Sequence, residues 1–171
     1  MTLRFEEMVG RYHDEIFTYV WRLLRTQNSH DGASDAEDVV QDVFFRAYKA
    51  FGRLDSDSNH RAWLYKIATN AAYTKLRAAR RQRDALLSLD ASRRIADTST
   101  DGVARAEDVE ARLRRLVGQL PERQRACLTL RYLQHLEYAE IARIMNCSEE
   151  SARANVYQAI RRLRSLLKGN K

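Results

Sequence analysis

The 171 residues are 44% hydrophobic and 31% charged, with a single proline and six glycines, which leaves room for one ordinary domain or two small ones and favours helices over sheet. A net charge of +7 suits a polyanionic partner. No stretch is long and apolar enough to span a bilayer, and the opening MTLRFEEMVG lacks the layout of a secretion signal, so a soluble cytoplasmic protein without membrane insertion is expected.

The first predicted helix runs from about Leu3 to Leu24, where Phe5, Val9, Tyr12, Ile16, Tyr19 or Val20, and Leu23 recur at steps of three and four. After the polar loop TQNSHDGAS, a second helix opens at Ser34, whose hydroxyl and Glu37 form a candidate capping box. Its apolar face is Ala36, Val39, Val40, Val43, Phe44, Ala47, Tyr48 and Phe51, and its polar face is Asp38, Gln41, Asp42, Arg46 and Lys49. Gly52 ends it, and Ser58 or Asn59 caps a third helix from about His60 to beyond Arg80. Trp63, Leu64, Ile67, Ala68, Ala71, Thr74 and Leu76 give that helix a buried side; Trp63 reads as core before a base-stacking platform, and Tyr65 fits either role. The stretch from Asp84 to Asp108 is rich in Ser, Thr and Asp and reads as a flexible linker, with Leu86, Leu87 and Leu89 placed to prolong the third helix or to dock on a partner. A further helix bears Leu113, Leu116, Val117 and Leu120, and Pro121 suits the first turn of the next, which runs to about Leu133.

The segment Tyr138–Leu167 then reads as a helix-turn-helix. Ile141, Ala142 and Met145 bury the first helix; Asn146 is one of the few residues that accept a left-handed backbone and can stop it. Ser148 is a candidate N-cap, with Glu149 and Glu150 at the positive end of the next helix dipole. Ala152, Val156, Ala159 or Ile160, Leu163 and Leu167 face inward, leaving Arg153, Asn155, Gln158, Arg161 and Arg162 to meet a major groove. The blander reading of the same residues is a helix pair with a solvated basic face.

Charge is segregated along the chain. Residues 1–60 hold 7 basic and 11 acidic side chains, residues 61–83 hold 7 basic and none acidic, and residues 122–171 hold 10 basic and 5 acidic. Cys127 and Cys147 sit among apolar neighbours and read as buried free thiols. The four histidines lack partners at metal-ligand spacing, there is no glycine-rich phosphate loop and no nucleophile elbow, and the acidic cluster Asp35, Glu37, Asp38, Asp42 suits capping and a partner face better than a metal. Neither catalysis nor a cofactor is expected.

Two segments carry a family resemblance. SDAEDVVQDVFFRAYKAF with HRAWLYKIATNAAYTKLRAARRQR resembles the second conserved region of bacterial sigma factors, and LPERQRACLTLRYLQHLEYAEIARIMNCSEESARANVYQAIRRLRSLL resembles the fourth. Their order and spacing, without an intervening third-region domain, are similar to the extracytoplasmic-function (group IV) class. The resemblance implies an all-α protein of two small helical domains, residues 1–83 (region 2) and 109–171 (region 4), joined by a flexible linker over 84–108. It implies that Asp38, Gln41, Asp42 and Arg46 dock on the clamp helices of core RNA polymerase. It assigns Leu54, Asp57, Ser58 and Asn59 to the loop that pockets an unstacked base of the −10 element, and Asn70 to a further −10 contact. In relatives an aromatic often stands near Leu54. Arg61, Lys66, Lys75, Arg77, Arg80 and Arg81 are placed to track the phosphates. The helix from Ser148 would enter the −35 major groove, Arg153 standing where relatives commonly carry lysine and able to contact guanine, Asn155 and Gln158 able to read adenine or meet phosphate. Arg131, Arg161 and Arg162 would contact backbone. Asn146 replaces the usual turn glycine and Cys147 a usual aliphatic residue. Relatives also hold the polymerase flap tip, here through the apolar surface around Leu128, Tyr132 and Leu136, and are commonly restrained by an anti-sigma protein. The resemblance thus implies a promoter-specificity subunit that binds promoter DNA, melts the −10 element and needs no cofactor. The alternative is a stand-alone dimeric helix-turn-helix regulator, which would have no need of residues 34–81.

Overall fold

The computed structural model describes residues 4–25, 32–55, 58–90 and 109–168. Their regular structure is entirely helical: α1 (Phe5–Leu24), α2 (Gly32–Phe51), α3 (His60–Asp90), α4 (Val109–Gly118), α5 (Glu122–Tyr132), α6 (Tyr138–Met145) and α7 (Glu149–Lys168). The all-α expectation holds.

Helices α1, α2 and α3 close a bundle. α1 buries Met8, Ile16, Tyr19, Val20, Leu23 and Leu24, and α2 buries Ala36, Val39, Val40, Val43 and Ala47. Two details of α2 differ from the sequence reading. The helix begins at Gly32, so Ser34 lies inside its first turn instead of capping it; Asp35 in that turn pairs with Lys75 of α3 at 2.7 Å. Tyr48 stays 64% exposed, because Phe5 meets it edge-on at 5.2 Å and α1 reaches no further over it.

Asn59, not Ser58, caps α3: its Oδ1 accepts from the Ala62 N–H at 2.9 Å. The first half of α3 buries Leu64, Tyr65, Ala68, Thr69, Ala71 and Ala72, which settles Tyr65 as core, while Trp63 is half-buried against it. From Arg77 to Ser88 every side chain is exposed. The helix continues through residues 84–90 of the expected linker, carrying Leu86 and Leu87 into solvent; the rest of that segment, 91–108, lies outside the described residues.

In the second half of the chain, Asn146 takes φ 49° and ψ 59° and its amide closes on the Ala142 carbonyl, so the turn stops α6 as its residue type requires. Ser148 caps α7, its Oγ accepting from the Ser151 N–H at 3.1 Å. Pro121 stands one residue ahead of α5. His135, at φ 54°, supplies a second left-handed residue in the turn between α5 and α6.

The two halves share one core. Ala126, Cys127 and Leu130 of α5, Leu136, Ile141, Ile144 and Met145 at α6, and Ala152 and Val156 of α7 pack continuously with the α1–α3 bundle. Leu116, Leu120, Ala159 and Leu163 form a smaller cluster between α4 and α7. Cys127 is buried and burial pushes its thiol up to about 12, whereas Cys147 is only half-buried. Among the described residues no helix is long and apolar enough to cross a membrane.

Because both tryptophans, Trp21 and Trp63, belong to the first bundle, they report on a cavity made in the other half. Leu130→Ala, at a fully buried site, should cost about 2–5 kcal/mol. Denaturant unfolding followed by tryptophan fluorescence should show the same midpoint shift as far-UV circular dichroism; an unmoved fluorescence transition would contradict the shared core.

Candidate polymerase and nucleic-acid interfaces

On α2, Asp38, Gln41 and Arg46 are exposed and Asp42 half-buried. Arg46 grips Asp42 with two nitrogens, Nε to Oδ1 at 2.9 Å and Nη2 to Oδ2 at 2.7 Å, an i,i+4 fork that fixes both side chains along the helix. Beside them Phe45 is 57% exposed, with Lys49 Nζ 4.1 Å from its ring centroid. A cleft between α1 and α2 runs alongside, lined by Val9, His13, Phe17, Val40, Gln41 and Phe44, with His13 stacked on Phe44. Phe45 and the exposed Tyr48 thus add aromatic surface to this polar face. Phe45 was legible as the aromatic falling outside the buried stripe; Tyr48 was not.

The candidate −10 residues fall into three groups. Leu54 is half-buried in the loop before α3, with Ser58 half-buried and Asn59 exposed; Asp57 lies outside the described residues. Asn59 Nδ2 donates to Glu140 Oε1 of α6 at 3.1 Å. Arg61 is committed to the protein: its Nε donates to Glu15 Oε1 at 2.7 Å, its Nη2 meets the same oxygen, and Nη2 donates to the Gln134 carbonyl at 3.0 Å. Tyr65 donates to that Glu15 oxygen at 2.6 Å, and burial together with this carboxylate raises its hydroxyl pKa above the usual value. Lys66 and Asn70 line a cleft of about 220 Å³ whose other wall is Arg123, Ile144, Met145 and Asn146. Lys75 is paired with Asp35, as above, while Arg77, Arg80 and Arg81 stand exposed on the free part of α3.

A further bond joins the halves. The Tyr73 hydroxyl donates to the Glu122 carbonyl at 3.3 Å. Arg125 is only 1% exposed; it donates to the Gly118 carbonyl at 3.1 Å, its Nε has no partner among the described residues, and burial lowers its pKa.

On the helix-turn-helix, Arg153, Gln158, Arg161 and Arg162 are exposed on α7. Asn155 is half-buried and turns its Nδ2 back to the Ser151 carbonyl at 2.8 Å, while Gln158 Oε1 accepts from Gln124 Nε2 at 3.1 Å. Arg131 braces the α5–α6 turn, donating to the Leu136 carbonyl at 2.9 Å and pairing with Glu137 at 3.0 Å. Tyr157, 67% exposed and one helical turn beyond Arg153, joins this surface; an aromatic at i+4 from the arginine was the signal for it. The apolar patch drawn around Leu128, Tyr132 and Leu136 needs correction: Leu136 is 1% exposed and belongs to the core, and the exposed pair is Tyr132 with Leu133. Likewise Leu167, drawn on the inward stripe of α7, is 43% exposed. Among the described residues no group of three or more His, Cys, Asp and Glu is placed to hold a metal.

A helix-turn-helix with an arginine-bearing second helix, attached to a helical bundle with a basic third helix, defines a DNA-binding protein of transcription. Comparison with known proteins narrows this. Residues 8–82 match sigma-70 region 2, and residues 110–163 match sigma-70 region 4. The chain is 32% identical to the RNA polymerase sigma-H factor of Pseudomonas aeruginosa, over 91% of this chain and 81% of that one. It is 31% identical to the ECF RNA polymerase sigma-E factor of Escherichia coli, over 91% and 82%. Among solved structures, the sigma factor RpoE in complex with the anti-sigma factor NepR from Bartonella quintana shares the fold at a TM-score of 0.70 and 22% identity, covering 98% of each chain. CnrH in complex with the cytosolic domain of CnrY does so at 0.66 and 21% identity, covering 98% of this chain and 89% of that one. The chain belongs to the extracytoplasmic-function sigma factors of the sigma-70 family. It binds core RNA polymerase and directs it to promoters, and it is not an enzyme.

Arg61 offers a check on which arginines serve the fold. Arg61→Ala should lower stability by about 1–2 kcal/mol in the absence of DNA, since the pair with Glu15 is part-buried and charge-assisted. Urea titration of the free protein measures it; an unchanged midpoint would return Arg61 to the phosphate track.

Proposed function

We propose a division of labour in which residues 1–83 hold the polymerase clamp and the −10 element while residues 109–171 hold the flap and the −35 element, joined by 84–108. The observation that carries it is the pairing of two exposed basic surfaces on one chain, the free part of α3 and the outer face of α7, with a mixed-charge, aromatic-edged face on α2. In this reading Asp38, Gln41, Asp42 and Arg46 meet the clamp helices, and Phe45 and Tyr48 give that contact its apolar area. Leu54, Asp57, Ser58, Asn59 and Asn70 receive the unpaired −10 strand, with Lys66, Arg77 and Arg80 along its phosphates. Arg153 and Gln158 reach base edges at −35, and Arg161 and Arg162 hold backbone. Strand opening draws on binding energy, and the chain works in the cytoplasm with its polymerase.

The closed arrangement bears on how this happens. Asn59, Lys66 and Asn70 face α6 and its turn, so −10 strand capture follows separation of α6 from α3. A protein of the anti-sigma type, such as the one bound to RpoE, would act by holding the closed form.

The decisive experiment is reconstitution with core polymerase on a cognate promoter, scoring −10 opening by permanganate reactivity. Tight duplex binding by the free chain as a dimer, without opening on polymerase, would favour the stand-alone regulator. Within this system Arg153→Ala should cost about 1–3 kcal/mol at particular −35 base pairs. Arg162→Ala should instead weaken binding to all sequences alike and shallow the slope of log K against log salt by about 0.9. Equal losses across every −35 variant for Arg153→Ala would remove it as a base reader.

Closure has its own test. Asn59→Asp keeps the capping oxygen of α3 but sets a carboxylate against Glu140 where an amide donated. The free chain should expand, seen as a larger radius of gyration by X-ray scattering, and adding Glu140→Lys should reverse it. An unchanged radius would show that this contact does not hold the halves together.

A further inference from the structure

Two arginines, Arg131 of α5 and Arg153 of α7, share one aromatic ring of α6. The Cζ of Arg131 lies 4.8 Å from the centroid of Tyr138, and the Cζ of Arg153 lies 5.0 Å from it. Each arginine also meets its own carboxylate, Arg131 with Glu137 at 3.0 Å and Arg153 with Glu149 at 3.7 Å. Two guanidiniums and two carboxylates gathered about one ring make a charge-balanced set, so the cations are not left repelling each other.

The two arginines are held to different degrees. Arg131 is tied to a backbone carbonyl as well, and its side chain is 30% exposed. Arg153 is 61% exposed, and its ion pair with Glu149 is long and solvated, which restrains it little. The ring is therefore its main restraint. Tyr138, the first residue of α6, is half-buried and packed against the core, so it is itself an anchored platform. A guanidinium stacked on an aromatic face keeps its N–H edge free, and that edge is what pairs with the two acceptors of guanine in the major groove.

We propose that Tyr138 is a positioning residue for promoter reading, presetting the Arg153 guanidinium so that less rotamer freedom is lost when it meets its base. This rests on Arg153 being a −35 base reader. It predicts a loss of sequence preference, not of general DNA affinity, when the ring is removed.

The test uses the full chain assembled with core polymerase, competing a cognate promoter against duplexes with each −35 base pair replaced in turn. Arg153→Ala should flatten the preference at one or two base pairs by roughly tenfold or more. Tyr138→Leu should flatten it at the same base pairs by about threefold to tenfold, while Tyr138→Phe retains the wild-type pattern. In the Arg153→Ala background, Tyr138→Leu should add nothing. Tyr138→Met, a second ring-free replacement, guards against a folding loss in the leucine variant, and thermal melting of each variant monitors it. Equal weakening on every duplex would make Tyr138 merely structural and overturn the proposal. Retained preference in both ring-free variants alongside lost preference in Arg153→Ala would sink the ring's role alone. Unchanged preference in Arg153→Ala would sink the base-reading assignment and this proposal with it.

Discussion

The apolar seam between α5–α6 and the α1–α3 bundle governs the rest of the structure. Leu130, Leu136, Ile141, Ile144 and Met145 are all buried in the same cluster as Ile16, Tyr19, Leu64 and Ala68. Fully burying one such aliphatic side chain contributes about 1.5–3 kcal/mol, so a seam of this composition holds the two helical units firmly together. Polar detail inside the seam follows the same logic. Thr69 donates to the Tyr65 carbonyl at 2.7 Å, which leaves the Tyr19 hydroxyl to donate to Thr69 Oγ1 at 2.8 Å; the buried hydroxyls are thereby satisfied in sequence.

What the seam buries decides which charged residues remain for partners. Arg61 is held by Glu15 and the Gln134 carbonyl, Lys75 by Asp35, and Arg131 by Glu137 and the Leu136 carbonyl. Arg77, Arg80 and Arg81, beyond the point where α3 leaves the bundle, and Arg161 and Arg162 on α7 are exposed. A basic count alone treats these residues alike. Their surroundings separate those that brace the fold from those that can neutralise phosphates, and phosphate contacts need only a charge in reach, whereas base contacts need a fixed edge.

Much of this was legible in the sequence because local chemistry decides it. Asn146 at a left-handed turn, Ser148 as a cap, and the periodic stripes of α1 and α7 each depend on neighbours a few residues away. The failures have tertiary causes. Tyr48 lies on the apolar side of α2 by period, yet α1 starts too late to cover it; Leu136 looks like part of a surface patch until α6 folds back and buries it. Leu86 and Leu87 could not be assigned because a helix extension without a packing partner leaves no periodic trace. Asn155 looked free to read a base, but a residue on α7 with an amide can bond the carbonyl four positions back, and it does so. The sharing of Tyr138 between Arg131 and Arg153 is invisible in sequence, since it needs α5 and α7 to meet at the start of α6.

Under the proposed function the seam gives way when the −10 strand is captured. Its driving force is apolar, and apart from the charge-assisted bond of Arg61 to the Gln134 carbonyl, its other polar members are weak or costly. Asn59 and Glu140 bond at a solvent-exposed edge, where the net gain is small, and Tyr73 reaches the Glu122 carbonyl at 3.3 Å, past the usual optimum. Arg125 is 1% exposed, and its Nε has no hydrogen-bond partner among the described residues, a desolvation cost that lowers its pKa. Shifting such a pair of states from 1:99 to 99:1 needs about 5.5 kcal/mol of differential binding. The seam is thus closed mainly by apolar area, and under the proposed function its opening frees the face of α3 on which Lys66 and Asn70 meet the α6 turn, while the exposed arginines of α7 are already accessible in the closed form.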